Sequence, residues 1–258
     1  MNKKTLQLSF ALIFLSFLIS CSSADNFVLH HQVTGLIKTN SYLLYSEQSK
    51  EGALFDVADS IDSLESIIEK EGIKLKYIFI THCHPDHVFG VPTIKERYPE
   101  AKICFSNIEY EDTKIYSEWE ENLDSAFVAS VKEKPALVEL MNFDFKLLGK
   151  PAIELTDNQI YKLGELEIKT FLSPGHSRGS ICFYTDSLVL SGDVLFYRSV
   201  GRSDLPKSGS KEDIIKSVRR LYNSLPDETK VYPGHGQFTD IGTEKKENKK
   251  VTLNSVNF

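Results

Sequence analysis

Residues 81–87 read THCHPDH, which places three of the chain's seven histidines and one aspartate within six positions. Neutral imidazole nitrogens and carboxylate oxygens are ligands that suit zinc, manganese and iron. The cluster follows residues 75–80, a β-rich apolar run of strand length, and Pro85 disfavours helical geometry for His84. We therefore expect a strand that ends in a metal-binding turn, with any helix beginning after Pro85. A solvated polar loop that is rich in histidine is the alternative interpretation.

Three further segments place a metal-capable side chain directly after a glycine, shortly beyond an apolar run. The pairs are Gly175-His176, Gly192-Asp193 and Gly234-His235. Glycine allows the backbone to approach a small centre closely and to adopt φ > 0. One such segment would be a weak signal. Four ligand-bearing segments that use five of the seven histidines form a strong one.

The apolar patterning indicates which elements position these segments. Strands are predicted within residues 27–45, 53–56, 75–80, 102–105, 152–190 and 230–232. Helices are predicted at residues 60–70, 91–98 and 211–225. Ser60 is the expected N-cap of the first helix and Gly72 its stop. Residues 109–148, which contain Trp119, have helical periodicity, so we expect them to cover one side of the site. The pattern favours an α/β layered fold with the ligand-bearing loops at one edge of the sheets.

Length and composition limit the classes of protein to consider. A chain of 258 residues with 41% hydrophobic residues can bury one sizeable core or two small ones. A net charge of -6 argues against a nucleic-acid binder, which usually has a basic face. The lysine pairs at 245–246 and 249–250 are interleaved with glutamates, which is typical of a solvated helix or tail.

The N-terminal residues have the layout of a secretory signal peptide. Lys3 and Lys4 precede an apolar run over residues 6–19, which is too short to span a membrane comfortably as a mature helix. Residues 18–21 read LISC and resemble the bacterial lipobox, in which cleavage leaves Cys21 as a lipidated N-terminus. We therefore predict a lipoprotein signal peptide over residues 1–20, a tether over 21–26 and one hydrolase domain over 27–258. A buried N-terminal helix, a plain secreted protein and an uncleaved anchor are the alternatives.

This prediction places the mature protein outside the cytoplasm. It would be a bacterial lipoprotein anchored to a membrane surface, on the periplasmic or outer-membrane face, and held by acyl chains rather than by a spanning helix. With Cys21 assigned to the lipid, three cysteines remain, and an odd number provides no disulfide framework, although one pair stays open. Cys104 and Cys182 lie in apolar runs and are expected to be buried fillers. Cys83 alternates with His82 and His84, so we expect it to face away from the site.

The ligand-bearing segments together resemble those of the metallo-β-lactamase superfamily, and more closely those of its glyoxalase II-like hydrolases. Residues 194–206 and 225–236 are similar to the short, single-domain members of that branch, and the similarity extends from about residue 28 to about residue 246. The resemblance implies a four-layer αββα fold, in which two packed β-sheets are flanked by helices. His30 and His31 match nothing in the pattern and are expected to be surface or strand residues.

The resemblance also implies a site for two divalent metal ions, zinc above all, with iron and manganese as alternatives. By position, the first metal would be held by His82, His84 and His176, and the second by Asp86, His87 and His235. Asp193 would bridge the two metals. True metallo-β-lactamases lack this aspartate, so Asp193 separates the chain from them.

Two metals roughly 3.5–4 Å apart can share a water and lower its pKa toward about 7, which yields a bridging hydroxide that attacks an acyl carbon. One metal stabilises the developing oxyanion. An amide substrate needs a general acid for its nitrogen, whereas a thiolate, with a reference pKa of about 8.5, leaves unaided. The conspicuous carboxylates are Asp86 and Asp193, the catalytic candidates, which are themselves ligands. We therefore expect a small-molecule thioester of the hydroxyacylglutathione type, or a lactone, as substrate.

Two other functions remain open. One is a persulfide dioxygenase with a single Fe(II) held by His82, His176 and Asp193, although residues 204–206 resemble the hydrolases. The other is a non-catalytic, lipid-anchored metal or ligand binder. Glutathione is chiefly cytosolic, so export conflicts with a glutathione thioester, and the oligomeric state is also open.

The chain also departs from the family pattern at several positions. The resemblance is to short members of the branch, so we expect no counterpart after His235 of the helical domain that binds glutathione in full-length glyoxalase II. Arg178 stands where the family more often has a small residue or proline. It either reaches the pocket mouth or is a solvated loop charge. Tyr197 and Arg202 are candidate substrate or supporting groups, and Arg202 is alternatively a structural partner of Asp204.

Overall fold

The computed structural model describes residues 27–205 and 207–252 and contains both strands and helices. Its strands form the central layers. The first six are β1 (Phe27–Thr34), β2 (Thr39–Ser46), β3 (Glu51–Phe55), β4 (Lys74–Phe79), β5 (Lys102–Phe105) and β6 (Ile153–Glu154). The next six are β7 (Ile160–Leu163), β8 (Leu166–Leu172), β9 (Ile181–Thr185), β10 (Leu188–Gly192), β11 (Leu195–Phe196) and β12 (Ser199–Val200). The last two are β13 (Lys230–Pro233) and β14 (Thr239–Asp240). The predicted signal peptide, Cys21 and the tether lie outside the described residues.

The strands form two six-stranded sheets and one small hairpin of β11 and β12. The first sheet has the order β1-β2-β3-β4-β5-β6, and the second has the order β14-β13-β10-β9-β8-β7. β3 to β6 pair in parallel, as do β10 and β13. All eight residues of β2 are buried, although they include the polar residues Thr39, Asn40, Ser41 and Ser46.

Helices cover both outer faces of this pair of sheets. Those before β6 are α1 (Asp62–Glu71), α2 (Pro85–Val88), α3 (Val91–Arg97), α4 (Asn107–Tyr116), α5 (Trp119–Asn122), α6 (Ser125–Lys132) and α7 (Pro135–Met141). A 3₁₀ turn follows at Phe145–Leu147, and the later helices are α8 (Lys211–Ser224) and α9 (Ile241–Glu247). None of the helices within 27–205 and 207–252 has the length and apolar composition that a membrane span requires.

Three buried clusters fill the spaces between these layers. The central cluster joins residues of the two sheets, and the ring of Phe183 on β9 lies 5.1 Å from that of Phe55 and 4.9 Å from that of Phe79. A second cluster packs α1 and α3 on the first sheet, and a third packs α8 and α9 on the second. The four-layer αββα fold is therefore confirmed.

Most predicted elements are present, with differences at their boundaries. Residues 27–46 form two strands, and the first helix runs from Asp62 to Glu71 with Gly72 in the left-handed conformation at its end. Ser60 as the N-cap was wrong. Ile61 occupies that position, while the Ser60 hydroxyl donates to the Asp62 carboxylate.

The three described cysteines, Cys83, Cys104 and Cys182, are buried free thiols, as expected of Cys104 and Cys182 as fillers. His30 and His31 lie in β1, as expected for strand residues.

Candidate metal centre

Each of the predicted ligand segments follows a strand, and the ends of those strands meet at one edge of the sandwich. His84 has extended geometry (φ -66°, ψ 144°), and α2 begins at Pro85, so that Asp86 and His87 lie in the first turn of that helix. In the parallel pair of β10 and β13, Gly192 lies opposite Pro233. The register therefore brings the segments of Asp193 and His235 side by side.

Three imidazoles form the first set of candidate ligands. The distance from His82 Nε2 to His84 Nδ1 is 3.0 Å, and His176 Nε2 lies 3.1 Å from the former and 2.9 Å from the latter. Two ligand atoms bound at 2.0–2.1 Å to a tetrahedral zinc would be roughly 3.3 Å apart. The spacing of these three nitrogens is close to that value.

A second set consists of Asp86, His87 and His235, whose potential ligand atoms lie within 4.8 Å of one another. Asp86 Oδ2 is 3.4 Å from His87 Nε2 and 3.2 Å from His235 Nε2. The Thr39 hydroxyl donates to the same carboxylate oxygen at 3.0 Å, which holds its orientation.

Asp193 lies between the two sets. Its Oδ2 is 3.4 Å from His176 Nε2 in the first set and 3.6 Å from His235 Nε2 in the second. Its Oδ1 is 3.5 Å from His87 Nε2. The structure thus brings all seven predicted site residues together, with the carboxylate of Asp193 in the position that a bridging ligand requires.

The backbone around Asp193 leaves no room for larger residues. Gly192 has a φ of +49°, and a Cβ at Gly234 would lie 2.2 Å from Asp193 Oδ1. The backbone of β13 can therefore pass close to the carboxylate only with glycine at position 234.

Asp56, at the end of β3, supports both sets. Its Oδ2 accepts from His87 Nδ1 and from the Thr81 hydroxyl, each at 2.8 Å, and its Oδ1 accepts from the Thr81 N–H at 2.8 Å. The Thr81 oxygen in turn lies 3.0 Å from His82 Nδ1. Because the Nδ1 atoms are engaged behind the site, the Nε2 atoms of His82 and His87 are directed toward it.

Two other loops are fixed in a similar way. His176 Nδ1 donates to the backbone carbonyl of Arg202 at 2.9 Å, which leaves its Nε2 facing the site. The start of β2 holds the His235 loop, since the Asn40 N–H donates to the Gly234 carbonyl at 2.7 Å and its side-chain amide donates to the Pro233 carbonyl at 2.9 Å.

The electrostatics differ between the two sets. Burial lowers the pKa of His84 to about 3 and that of His176 to about 4, so both are neutral ligands near pH 7. Burial alone would also lower the pKa of His87, but the carboxylates of Asp86 and Asp193 outweigh it and raise the pKa to about 10. Without a metal, His87 therefore carries a positive charge that a bound cation would replace.

Two buried atoms indicate what the site is built to hold. Among the described residues, His87 Nε2 and Asp193 Oδ1 are shielded from solvent and have no hydrogen-bond partner. Unpaired buried polar atoms are costly unless a ligand engages them. Imidazole nitrogens and carboxylate oxygens together suit divalent cations, so the residues present fit such ions.

The comparison with known protein families agrees with this geometry. The family model described as the metallo-beta-lactamase superfamily matches residues 34–235, most of the chain. The chain belongs to this superfamily. It is also 30% identical to a probable metallo-hydrolase of Streptococcus pyogenes over 226 residues, which cover 85% of this chain and 88% of that protein. The protein is accordingly a metallo-hydrolase of the superfamily.

Another superfamily relative has a more specific name. The hydroxyacylglutathione hydrolase GloC of Haemophilus influenzae is 29% identical over 211 residues, which cover 81% of this chain and 91% of that protein.

Solved structures with this fold are also similar. BLEG-1 B3 metallo-beta-lactamase has a TM-score of 0.68 at 27% identity, over 88% of this chain and 100% of the other. TTHA1623, crystallised in a di-iron-bound form, has a TM-score of 0.66 at 27% identity, over 85% and 98% of the two chains.

Sequence reasoning missed Glu109 as a supporting residue of this superfamily site. The carboxylate, on α4, is fully buried and accepts from the backbone N–H groups of Cys83 at 2.7 Å and Gly179 at 2.9 Å. It therefore ties the loop of His82 and His84 to the loop of His176. The only signal was a glutamate in the first turn of a predicted helix. Asp56 was missed as a supporting residue as well. Its signal was clearer than that of Glu109, because Asp56 follows an apolar strand in the same way as Asp193.

The structure also places the three remaining candidates, Arg178, Tyr197 and Arg202. Arg178 does not line the cavity and is an exposed loop charge, as one of the two interpretations predicted, and its guanidinium pairs with both oxygens of the buried Asp112. Tyr197 does not line the cavity next to the centre. Arg202 does line it, and its guanidinium pairs with Asp204, as the structural interpretation predicted.

Proposed function

We propose that this metallo-hydrolase cleaves thioesters at a centre of two divalent cations, with zinc expected and iron or manganese as alternatives. The observation that carries the proposal is the position of Asp193 between two complete sets of three ligands. A single cation would leave one of these buried sets unused. The di-iron form of TTHA1623 supports a two-metal arrangement by similarity.

Cations bound there would polarise an acyl carbonyl and lower the pKa of water so that hydroxide is available near neutral pH. The protein's own part is to hold the ligands before substrate arrives. Asp56 and Thr81 fix the imidazoles of His82 and His87 from behind. The cavity beside the centre exposes Asp86 and Asp193 to a bound substrate.

The acidic groups that line this cavity limit which leaving group of the substrate can depart. Within the described parts of the chain, the carboxylic acids of this lining are Asp86 and Asp193, both of which belong to the ligand sets. The phenol of Tyr116 also lines the cavity, but burial raises its pKa and makes it a weak proton donor. An amine leaving group would need a separate proton donor, whereas a thiolate would not. The similarity to the hydroxyacylglutathione hydrolase GloC supports a thioester. Lactones are the second substrate class to test. Opening the lactone ring leaves the alkoxide attached to the acyl group, so no separate leaving group departs.

The competing activity is the persulfide dioxygenase with one Fe(II) held by His82, His176 and Asp193. His176 Nε2 lies 3.1 Å from His82 Nε2 and 3.4 Å from Asp193 Oδ2, so these residues are adjacent here. The sequence of residues 204–206 resembles the hydrolases, which favours hydrolysis.

Metal analysis of the purified mature protein, followed by a substrate panel, tests the proposal. We expect two metal equivalents per chain and hydrolysis of acyl thioesters, including S-lactoylglutathione. His235→Ala should lose one equivalent and most of the hydrolysis, because it removes a ligand of the second set only. One iron per chain with oxygen consumption on a persulfide, or intact thioesters in the presence of two metals, would refute the proposal.

We also propose that the protein acts outside the cytoplasm as a lipid-anchored enzyme. This rests on the charged and apolar residues before position 20 and on Cys21, which lie outside the described structure. A membrane-anchored enzyme would encounter thioesters or lactones other than those of the cytosolic glutathione pool.

A further inference from the structure

A cavity of about 420 Å³ extends from the metal centre into the helices that connect β5 to β6. Its volume lies within the roughly 300–1,000 Å³ range of ligand sites. Metal-ligand residues form one end, and the remaining wall is largely apolar. Six apolar side chains from α4, α5, α6, α7 and the turn after α5 contribute to it: Ile115, Trp119, Leu123, Phe127, Leu137 and Met141.

The charged and polar groups of the wall are few. Beyond the ligand sets, the described wall residues of this kind are Tyr116, Asn122, Ser130, Lys134 and Arg202. The hydroxyl of Tyr116 is buried and has no hydrogen-bond partner. Asn122, Ser130 and Lys134 are exposed, and the exposed Arg202 is engaged by Asp204. Burying the carboxylates and ammonium of a charged peptide thiol requires paired partners inside the cavity. Apart from the candidate metal ligands, the only buried polar side chain that the structure describes in this wall is the neutral Tyr116, so the wall favours an apolar group over a charged one.

The cavity and the centre are held rigidly together. α4 carries both Glu109, which accepts from the loops of His82 and His176, and Asp112, which pairs with Arg178. α7 packs against α2, the helix that begins with the segment of Asp86 and His87. A chain lying along the apolar wall would therefore have its acyl carbon at a fixed place next to Asp86 and Asp193.

We propose that this cavity binds the alkyl chain of a medium-chain fatty acyl thioester, which places the thioester carbonyl at the metal centre. The assignment rests on the proposed thioesterase function. In the reaction, water supplies an oxygen to the acyl carbon and the C–S bond breaks. The products are a fatty acid, which gives up its proton, and a thiol, whose sulfur takes one up.

A chain-length series tests the assignment. S-acyl derivatives of N-acetylcysteamine from acetyl to dodecanoyl are compared with S-lactoylglutathione on the metal-loaded mature protein. Each methylene that enters the apolar wall should raise kcat/KM by up to about fourfold, which corresponds to about 0.8 kcal/mol. The rise should stop once the chain outgrows the cavity. A flat profile, or a preference for S-lactoylglutathione over octanoyl and decanoyl thioesters, would overturn the assignment.

The chain's single tryptophan gives a second measurement that needs no activity. Trp119 is buried in the cavity wall, so occupancy of the cavity should change its fluorescence. We expect decanoate to change the emission of the chelator-treated protein in a saturable way, and acetate to leave it unchanged.

Two phenylalanine substitutions, one inside the cavity wall and one outside it, test whether the chain-length preference arises in the cavity. Both variants keep the single tryptophan. Leu137→Phe narrows the wall, so the ratio of kcat/KM for decanoyl over acetyl should fall at least tenfold and decanoate should bind more weakly. Val138→Phe, at the next position of α7 and outside the wall, should retain the wild-type profile. Met141→Phe serves as the wall variant if Leu137→Phe does not fold.

The outcomes separate this assignment from the proposed function. If thioesters are cleaved without regard to chain length, and decanoate does not affect Trp119, the cavity assignment is wrong and the thioesterase proposal stands. If no thioester is cleaved at all, the proposed function fails. Decanoate binding that responds to Leu137→Phe but not to Val138→Phe would then still support the cavity as an alkyl-chain site.

Discussion

Replacing Asp56 by asparagine would remove a carboxylate that supports both halves of the centre. Asp56 is 2% exposed, and its two oxygens accept from the Thr81 N–H, the Thr81 hydroxyl and His87 Nδ1, each at 2.8 Å. Asparagine keeps the shape of the side chain but offers one acceptor oxygen. At least one of the three donors then loses its partner. Loss of such a supporting group typically costs about 10–100-fold in metal affinity, which equals about 1.4–2.7 kcal/mol.

Zinc titration of the metal-free protein against a coloured chelator measures this change. We expect Asp56→Asn to bind both equivalents more weakly, because the Thr81 hydroxyl connects Asp56 to His82. Thr81→Val is the matched control. It removes that hydroxyl but keeps the hydrogen bond from His87 to Asp56, so it should weaken chiefly one equivalent. If folded Asp56→Asn, checked by circular dichroism, bound both equivalents with wild-type affinity, the argument for its supporting role would be refuted.

Three further predictions concern other parts of the chain. Gly234→Ala should abolish binding of at least one metal equivalent, measured by elemental analysis, since its Cβ would lie 2.2 Å from a carboxylate oxygen of Asp193; full occupancy would contradict this. Arg178→Ala should lower the free energy of unfolding in urea by about 1–3 kcal/mol, because it leaves the buried Asp112 unpaired. Arg202→Ala, which breaks the exposed pair with Asp204, should lower the free energy of unfolding by less than about 1 kcal/mol. Equal losses for Arg178→Ala and Arg202→Ala would contradict the argument from the burial of Asp112. Cys21→Ala should move the protein from the membrane fraction to the soluble periplasmic fraction, and unchanged fractionation would contradict lipidation.

The ligand-bearing segments were predictable because their signal is local. A glycine and a metal-capable side chain after an apolar run need no knowledge of distant contacts, and parallel strands end at a common sheet edge. In the structure, Gly192 at the end of β10 lies opposite Pro233 at the end of β13, as this rule predicts. The helical periodicity of residues 109–148 was local information as well, and helices α4 to α7 are present there.

The parts that the sequence did not reveal depend on long-range contacts. Arg178 and Asp112 lie 66 positions apart, and nothing near either residue indicates their pairing. Glu109 meets Cys83 and Gly179 only after α4 has packed on the ligand loops. The same applies to the cavity, because periodicity predicts apolar helix faces but not whether those faces close against each other or enclose a space.

The most direct test of the central claim is a crystal structure of the metal-loaded protein with anomalous scattering data. Two metal peaks are expected, one against His82, His84 and His176 and the other against Asp86, His87 and His235. A carboxylate oxygen of Asp193 should lie within bonding distance of each. A single peak held by His82, His176 and Asp193, with the second set of ligands free of metal, would contradict the two-metal account.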